Sequence, residues 1–159
     1  VPSSLRLLRS IVASLEQAGF GVFVFGGWAE ELHGLTPTRD HRDIDLLLLD
    51  PDEPALAAFL DTREEILEKR STHKRAFELD GVLVELFIAR SENGEPVTYF
   101  WNHLRWVWPA DIGVSIVGLP VTSSASLALY RSSWHTIQAA RQHQRGRAIP
   151  DTRRSGLGT

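Results

Sequence analysis

Two aspartates one residue apart, Asp43-Ile-Asp45, open an apolar run, and a third acid, Glu85, stands alone in Val82-Leu-Val-Glu-Leu-Phe-Ile88. Side chains alternate faces along a strand, so Asp43 and Asp45 point the same way, roughly 7 Å apart at about 3.3 Å per residue. Like charges so placed repel unless a cation lies between them. A hard divalent ion with oxygen ligands meets that need, and Mg²⁺ takes one or two carboxylates together with substrate phosphates. Taken alone, the pair reads as solvated acids where a strand emerges. Glu85 changes that reading, because a carboxylate in so apolar a run is costly to bury without a partner. Its same-face neighbours, Leu83 and Phe87, offer none. A strand lying beside the aspartates would bring Glu85 into their cluster, as a third metal ligand or as the base that takes a proton from an attacking hydroxyl.

Gly26-Gly27 lies between a strand-like run and a helix-like one, just upstream of the aspartates. Glycines there let backbone N–H groups approach a phosphate. Together these parts suit nucleotidyl transfer: amides hold a triphosphate, metals bridge it to the acids, and an acceptor hydroxyl displaces pyrophosphate.

The elements that must position these groups are legible in outline. Ser4 to Ala18 places Leu5, Leu8, Val12 and Leu15 on one helical face and stops at Gly19. Phe20 to Phe25 is a buried strand, and Trp28 to His33 a short helix. A loop over Thr36 to Asp40 leads to strand Ile44 to Leu49. Asp50-Pro-Asp-Glu-Pro54 opens a helix through Leu60. Strands are expected over Glu65 to Lys69 and His73 to Leu79. Asp80-Gly81 signals a tight hairpin into Val82 to Ala89, and Ser91 to Pro96 reads as a loop. Tyr99 to Trp108 carries Trp101, Trp106 and Trp108 and fits no class; its tryptophans suit either an aromatic wall or core packing. Two short strands, Val114 to Val117 and Leu119 to Thr122, precede a last helix capped by Ser123 or Ser124 and running to Ala140. The expected fold is α+β, a mixed sheet flanked by helices with a short C-terminal helical segment. One domain is read over 1–143, and a basic, disordered tail over 144–159.

The chain has 159 residues, 43% of them hydrophobic, and a net charge of −3. That charge argues against a protein whose main task is gripping nucleic acid. No apolar run reaches the roughly 18 to 20 residues needed to span a bilayer, and no signal peptide is expected from Val1-Pro-Ser-Ser4. Cysteine is absent, which excludes thiolate metal sites and suits a cytoplasmic location. The six histidines show no zinc-like spacing. Lys74 and Arg75 read as solvated strand charges or as phosphate contacts.

Gly26-Gly27, Asp43-Ile-Asp45 and a later strand carboxylate form a pattern that resembles the nucleotidyltransferase superfamily related to DNA polymerase β. Phe25-Gly-Gly-Trp-Ala29 and His41-Arg-Asp-Ile-Asp-Leu46 are similar to the small lincosamide and aminoglycoside nucleotidyltransferases, best over residues 5 to 90 and more faintly into Leu119 to Tyr130. The resemblance implies that Asp43, Asp45 and Glu85 bind Mg²⁺, two ions, and are catalytic. Glu85 stands where many relatives carry Asp. It implies that Gly26 and Gly27 contact the phosphates of ATP or another NTP, with His41 and Arg42 near the triphosphate. The implied reaction moves a nucleoside monophosphate to a hydroxyl of a small molecule, with lincosamides and aminoglycosides as acceptor classes. Nucleotidylation of protein or tRNA, as in toxin–antitoxin systems, and a non-catalytic nucleotide-binding module are the alternatives. With no second domain to receive the acceptor, a homodimer is expected.

Overall fold

The computed structural model describes residues 2–147. Helix α1 (Leu5–Gln17) begins where the Ser4 hydroxyl accepts a hydrogen bond from the Leu7 N–H at 3.1 Å. Its buried face is Leu8, Ile11, Val12 and Leu15, while Leu5, expected on that face, is exposed. Strand β1 (Gly21–Phe25) passes directly into helix α2 (Gly26–Leu32), with Gly26 at φ +62° making the turn. Strand β2 (Asp43–Leu49) is buried on both faces from Leu46 to Leu48, which explains its unbroken apolar run. Helix α3 (Glu53–Asp61) is capped by Asp52, whose carboxylate accepts from the Ala55 N–H at 3.0 Å.

The strand expected over Glu65 to Lys69 is mostly absent. Strand β3 covers only Glu64–Glu65, and Leu67–Lys69 form a 3₁₀ turn. This is the sheet's edge, Leu67 is exposed, and Arg70 and Arg75 both draw on Glu65, so no apolar face holds the segment in register. Strands β4 (Lys74–Leu79) and β5 (Val82–Glu92) form the hairpin signalled by Asp80-Gly81, both residues at positive φ. A second such turn at Asn93-Gly94 joins β5 to β6 (Glu95–Phe100), so most of the expected loop over Ser91 to Pro96 is strand. The unclassified tryptophan segment is the hairpin from β6 to β7 (Leu104–Val107). Strands β8 (Gly113–Ile116) and β9 (Leu119–Thr122) follow as expected.

The last helix is two. Helix α4 (Ser124–Ser132) is capped by the Ser123 hydroxyl, and α5 (Trp134–Arg147) continues after Ser133. Residues 144–147, expected in the tail, are therefore helical; the rest of that tail lies outside the described residues.

The sheet runs β3-β4-β5-β2-β1-β9-β8, and β6 and β7 extend from β5. Strands β2 and β5 are parallel, as are β1 and β9, and the other pairs are antiparallel. Residues opposite one another share a face, so Phe25, Asp45, Glu85 and Ala76 lie along one line across β1, β2, β5 and β4. Phe59 of α3 meets Phe77 on the opposite face, whereas Tyr130 of α4 packs edge-on against Phe25 at 4.9 Å. The C-terminal helices thus cover the face that carries the acids. No described helix is long and apolar enough to cross a membrane.

Candidate active site

The parallel register sets Asp45 of β2 directly opposite Glu85 of β5. Burial, then the Glu85 carboxylate, its hydrogen bond, and Asp43 together push the Asp45 carboxyl far above its ordinary 3.8. Glu85 is held by two lysines, Lys74 Nζ at 3.3 Å and Lys69 Nζ at 3.7 Å. Lys74, read from sequence as a solvated charge or phosphate contact, is itself half-buried on the catalytic face, while Arg75 faces the other way and pairs with Glu65 at 2.6 Å. Asp43 lies one step along the same face, opposite Leu83, and is exposed.

Two carboxylates forced together suit a hard cation whose remaining ligands come from phosphate oxygens. Asp45 meets its partner at the cost of favouring its protonated form, and a divalent ion would remove that cost. Among the described residues no three His, Asp or Glu side chains converge on one point. The chain itself assembles the Asp45–Glu85 pair with Asp43 beside it.

Gly26 is packed onto this pair. A Cβ there would stand 2.3 Å from Asp45 Oδ2, so only glycine leaves the carboxylate in place. Helix α2 starts at Gly26 with no side-chain cap, leaving its first amides without intrahelical partners. A Cβ at Gly27 would meet His41 Nδ1 at 2.9 Å and Arg39 Nη2 at 2.8 Å.

His41, which the resemblance places near the triphosphate, is 5% exposed. Its ring lies against Trp28 at 4.5 Å, and its Nε2 meets Glu31 Oε1 at 3.1 Å. Glu31 also accepts from the Arg39 N–H at 2.9 Å, which with His41 holds its carboxyl below the ordinary value. The His41 carbonyl accepts from both the amide and the hydroxyl of Ser3, each at 2.6 Å. The loop before Asp43 is therefore clamped to α2 and to Ser3. Arg42, next along, is exposed.

A cavity of about 300 Å³ opens over the acids, near the lower end of the roughly 300–1,000 Å³ of ligand pockets. Its walls include Lys74, Phe87, Trp101, Tyr130, Trp134 and Arg141. The tryptophans divide between the two roles weighed for them: Trp106 and Trp108 are core residues, and Trp101 lines the cavity. Burial and the nearby Asp45 and Glu85 raise the Tyr130 pKa well above its ordinary value, keeping a neutral hydroxyl there.

Trp101 is set by an unusual support. It lies at φ +57° in the turn between β6 and β7, and its N–H donates to His73 Nδ1 at 3.2 Å. Ser71 Oγ lies 3.0 Å from the same nitrogen. Burial and Lys74 bring the His73 pKa down to about 4, so Nδ1 stays free to accept.

Tyr130, Trp134 and Arg141 are site residues that sequence reasoning missed. Nothing local marks them, since they lie more than forty residues past Glu85 and owe their place to the way α4 and α5 fold back.

The sequence matches the aminoglycoside-2''-adenylyltransferase family over residues 7–114, more than half of the chain. The fold is similar to that of the lincosamide antibiotic adenylyltransferase LnuA solved with lincomycin bound, with a TM-score of 0.69 and 13% identity, covering 91% of this chain and 98% of that one. It is also similar to ANT(2'')-Ia in complex with adenylyl-2''-tobramycin, with a TM-score of 0.56, 16% identity and coverage of 91% and 98%. No curated protein sequence matches the chain. The chain belongs to the aminoglycoside-2''-adenylyltransferase family, and is thus of the nucleotidyltransferase kind that uses an NTP co-substrate.

Proposed function

We propose that this family member transfers a nucleoside monophosphate from ATP, or another NTP, to a hydroxyl of a small molecule, and that it does so with Mg²⁺ on the Asp45–Glu85 pair. The observation that carries this is the register that seats the two carboxylates side by side, with Gly26 against one of them. In this reading Asp45 and Glu85 would hold Mg²⁺, and Asp43, beside them on the same face, would complete the set once the ion draws it in. When bound, the metal neutralises phosphate charge and polarises the α-phosphoryl group.

The chain's own residues do the rest. The amides of Gly26 and Gly27 hold phosphate oxygens, with Arg42 at the solvent side. Glu85 takes the proton of the acceptor hydroxyl as its oxygen bonds to the α-phosphorus, and the bond from that phosphorus to pyrophosphate breaks. Tyr130, kept neutral, offers its hydroxyl as a hydrogen-bond donor within the cavity, and the aromatic walls exclude water. His41 acts at one remove, by fixing the loop that leads to Asp43. The subunits are proposed to pair as a homodimer, which the exposed Leu35, Leu129 and Trp134 support.

The test is pyrophosphate release from ATP and Mg²⁺ across lincosamides, aminoglycosides, tRNA and protein as acceptors. Asp45→Asn and Glu85→Gln should each abolish release, and undiminished release in Asp45→Asn would defeat the assignment. Release driven by tRNA or protein alone would move the acceptor to macromolecules.

A further inference from the structure

Two donors beside the acids have no partner. Trp101 Nε1 and Arg141 Nε are both buried, and neither meets an acceptor among the described residues. Both residues line the cavity that holds Asp45 and Glu85. Buried N–H groups are nearly always paired in native proteins, so two orphans on residues that line one cavity mark a place where a ligand supplies the oxygens.

They are brought there by separate means. Arg141 comes from α5, with its guanidinium over the Trp101 ring at 5.0 Å. Trp101 is held from the other side by His73, through the backbone bond and by ring contact at 4.6 Å. A tryptophan in the left-handed region is uncommon and persists only where its surroundings hold it.

The order of strands decides which half of the reaction these donors serve. Across the catalytic face come Gly26 at the end of β1, Asp45 on β2, Glu85 on β5 and Lys74 on β4. Trp101 lies beyond Glu85, with Lys74 Nζ 5.9 Å from its ring. The donors are therefore on the side away from Gly26, where an acceptor hydroxyl must sit to give its proton to Glu85. Charge narrows the acceptor further. Apart from the acid pair, the charged side chains lining the cavity among the described residues are Lys74 and Arg141, both cations. Lys74 is engaged by Glu85, which leaves Arg141 and the Trp101 N–H to meet the ligand. A polycation would find fixed positive charge and no spare carboxylate.

We propose that Trp101 and Arg141 form the acceptor subsite, and that the acceptor carries an oxyanion, a carboxylate or a phosphate, that takes a hydrogen bond from each. This rests on the assignment of Gly26 to the donor half made above.

The test reads Trp101 directly. The chain has five tryptophans, and in ¹⁵N-labelled protein the Trp101 indole signal is the one lost in Trp101→Phe. With Mg²⁺ and a non-hydrolysable ATP analogue bound, inorganic phosphate should shift this signal saturably, and tobramycin should not. Arg141→Met should weaken the phosphate response by about tenfold or more, as loss of a charge-assisted hydrogen bond does. Arg141→Lys should fall between the two, and Arg131→Met, whose arginine pairs with Glu30 outside the cavity, should change nothing. Overlaid spectra show whether each variant keeps its fold. The proposal is overturned if phosphate leaves the signal unmoved, if Arg141→Met responds as the parent does, if the ATP analogue alone abolishes the response, or if tobramycin shifts the signal in place of phosphate. Failure of the donor-half reading is seen separately, as analogue binding that is absent or that survives Asp45→Asn; phosphate titrated into the nucleotide-free protein then still reads the subsite.

Discussion

Alanine at position 26 should cost activity out of proportion to stability, and a second glycine supplies the control. Gly26 lies at φ +62° and Gly34 at φ +73°, so each alanine carries the left-handed penalty of about 1–2 kcal/mol. At about 2–4 °C per kcal/mol for a chain of this size, both variants should melt about 2–8 °C lower. Their surroundings differ. A Cβ at Gly34 meets nothing within 4 Å, whereas one at Gly26 lies 2.3 Å from Asp45 Oδ2 and 3.0 Å from the Asp45 Cβ and Cγ. Asp45 is fixed in a strand paired on both sides, so the clash has to turn its carboxylate away from Glu85. A displacement on the order of 1 Å at a reacting group costs about a hundredfold in rate. Pyrophosphate release should therefore fall by about that factor in Gly26→Ala and stay near the parent value in Gly34→Ala, with melting temperature followed alongside. Parent-like release by Gly26→Ala, or an equal loss in Gly34→Ala, would refute the reasoning.

Stability should also depend on pH through His73. The unfolded imidazole takes a proton near its ordinary 6.5, while the folded one waits until about 4, so its contribution is full above pH 6.5 and lost as pH falls toward 4. At about 1.36 kcal/mol per pKa unit the loss approaches about 3 kcal/mol near pH 4 and is about 2 kcal/mol at pH 5; urea unfolding at pH 7 and pH 5 should show the latter in the parent and not in His73→Gln, and equal losses in both would reject it. Thr98→Val should destabilise by about 1–3 kcal/mol, because the Thr98 hydroxyl donates to the Ile88 carbonyl and accepts from Trp108 Nε1, each at 2.8 Å and buried; an unchanged urea midpoint would count against this. Ser123→Ala should cost about 1 kcal/mol through the lost cap of α4, measured the same way, and a value near zero would show the cap to be dispensable. Light scattering should return the mass of a homodimer, and a monomer at working concentration would remove that proposal.

How much of this could be seen in the sequence varied with the range of the interaction. The Gly26 turn, the Asp80-Gly81 hairpin and the Asp43/Asp45 face depend on local backbone preferences, and all were legible. The pairing of Asp45 with Glu85 was half legible. An acid alone in an apolar run demands a partner, but nothing in the run says that β5 lies parallel to β2 at that register. Asn93-Gly94 was a hairpin signal of the same kind as Asp80-Gly81, yet Pro96 and the polar residues around it made a loop the simpler reading. The split between α4 and α5 was not legible, because Ser132-Ser133 carries neither glycine nor proline. It follows from packing, with Tyr130 set over Phe25 and Ile137 buried farther along.

The same distinction divides the site. The half built from β1, α2 and β2 comes from one short stretch of chain, and the clamp of Ser3, Trp28, Glu31 and His41 fixes it with side chains from that stretch and the N-terminus. The half beyond Glu85 is assembled from β4, the turn between β6 and β7, and two helices at the far end of the chain. The turn and the two helices can change without disturbing the carboxylates, since Glu85 is held by Asp45 and by two lysines that belong to none of them. On the proposed assignment, an acceptor change requires only residues such as Trp101, Trp134 and Arg141 to differ, while the residues proposed to handle phosphate stay as they are. That is why the reaction could be read from residues 26 to 85, and why the acceptor has to be argued from the cavity.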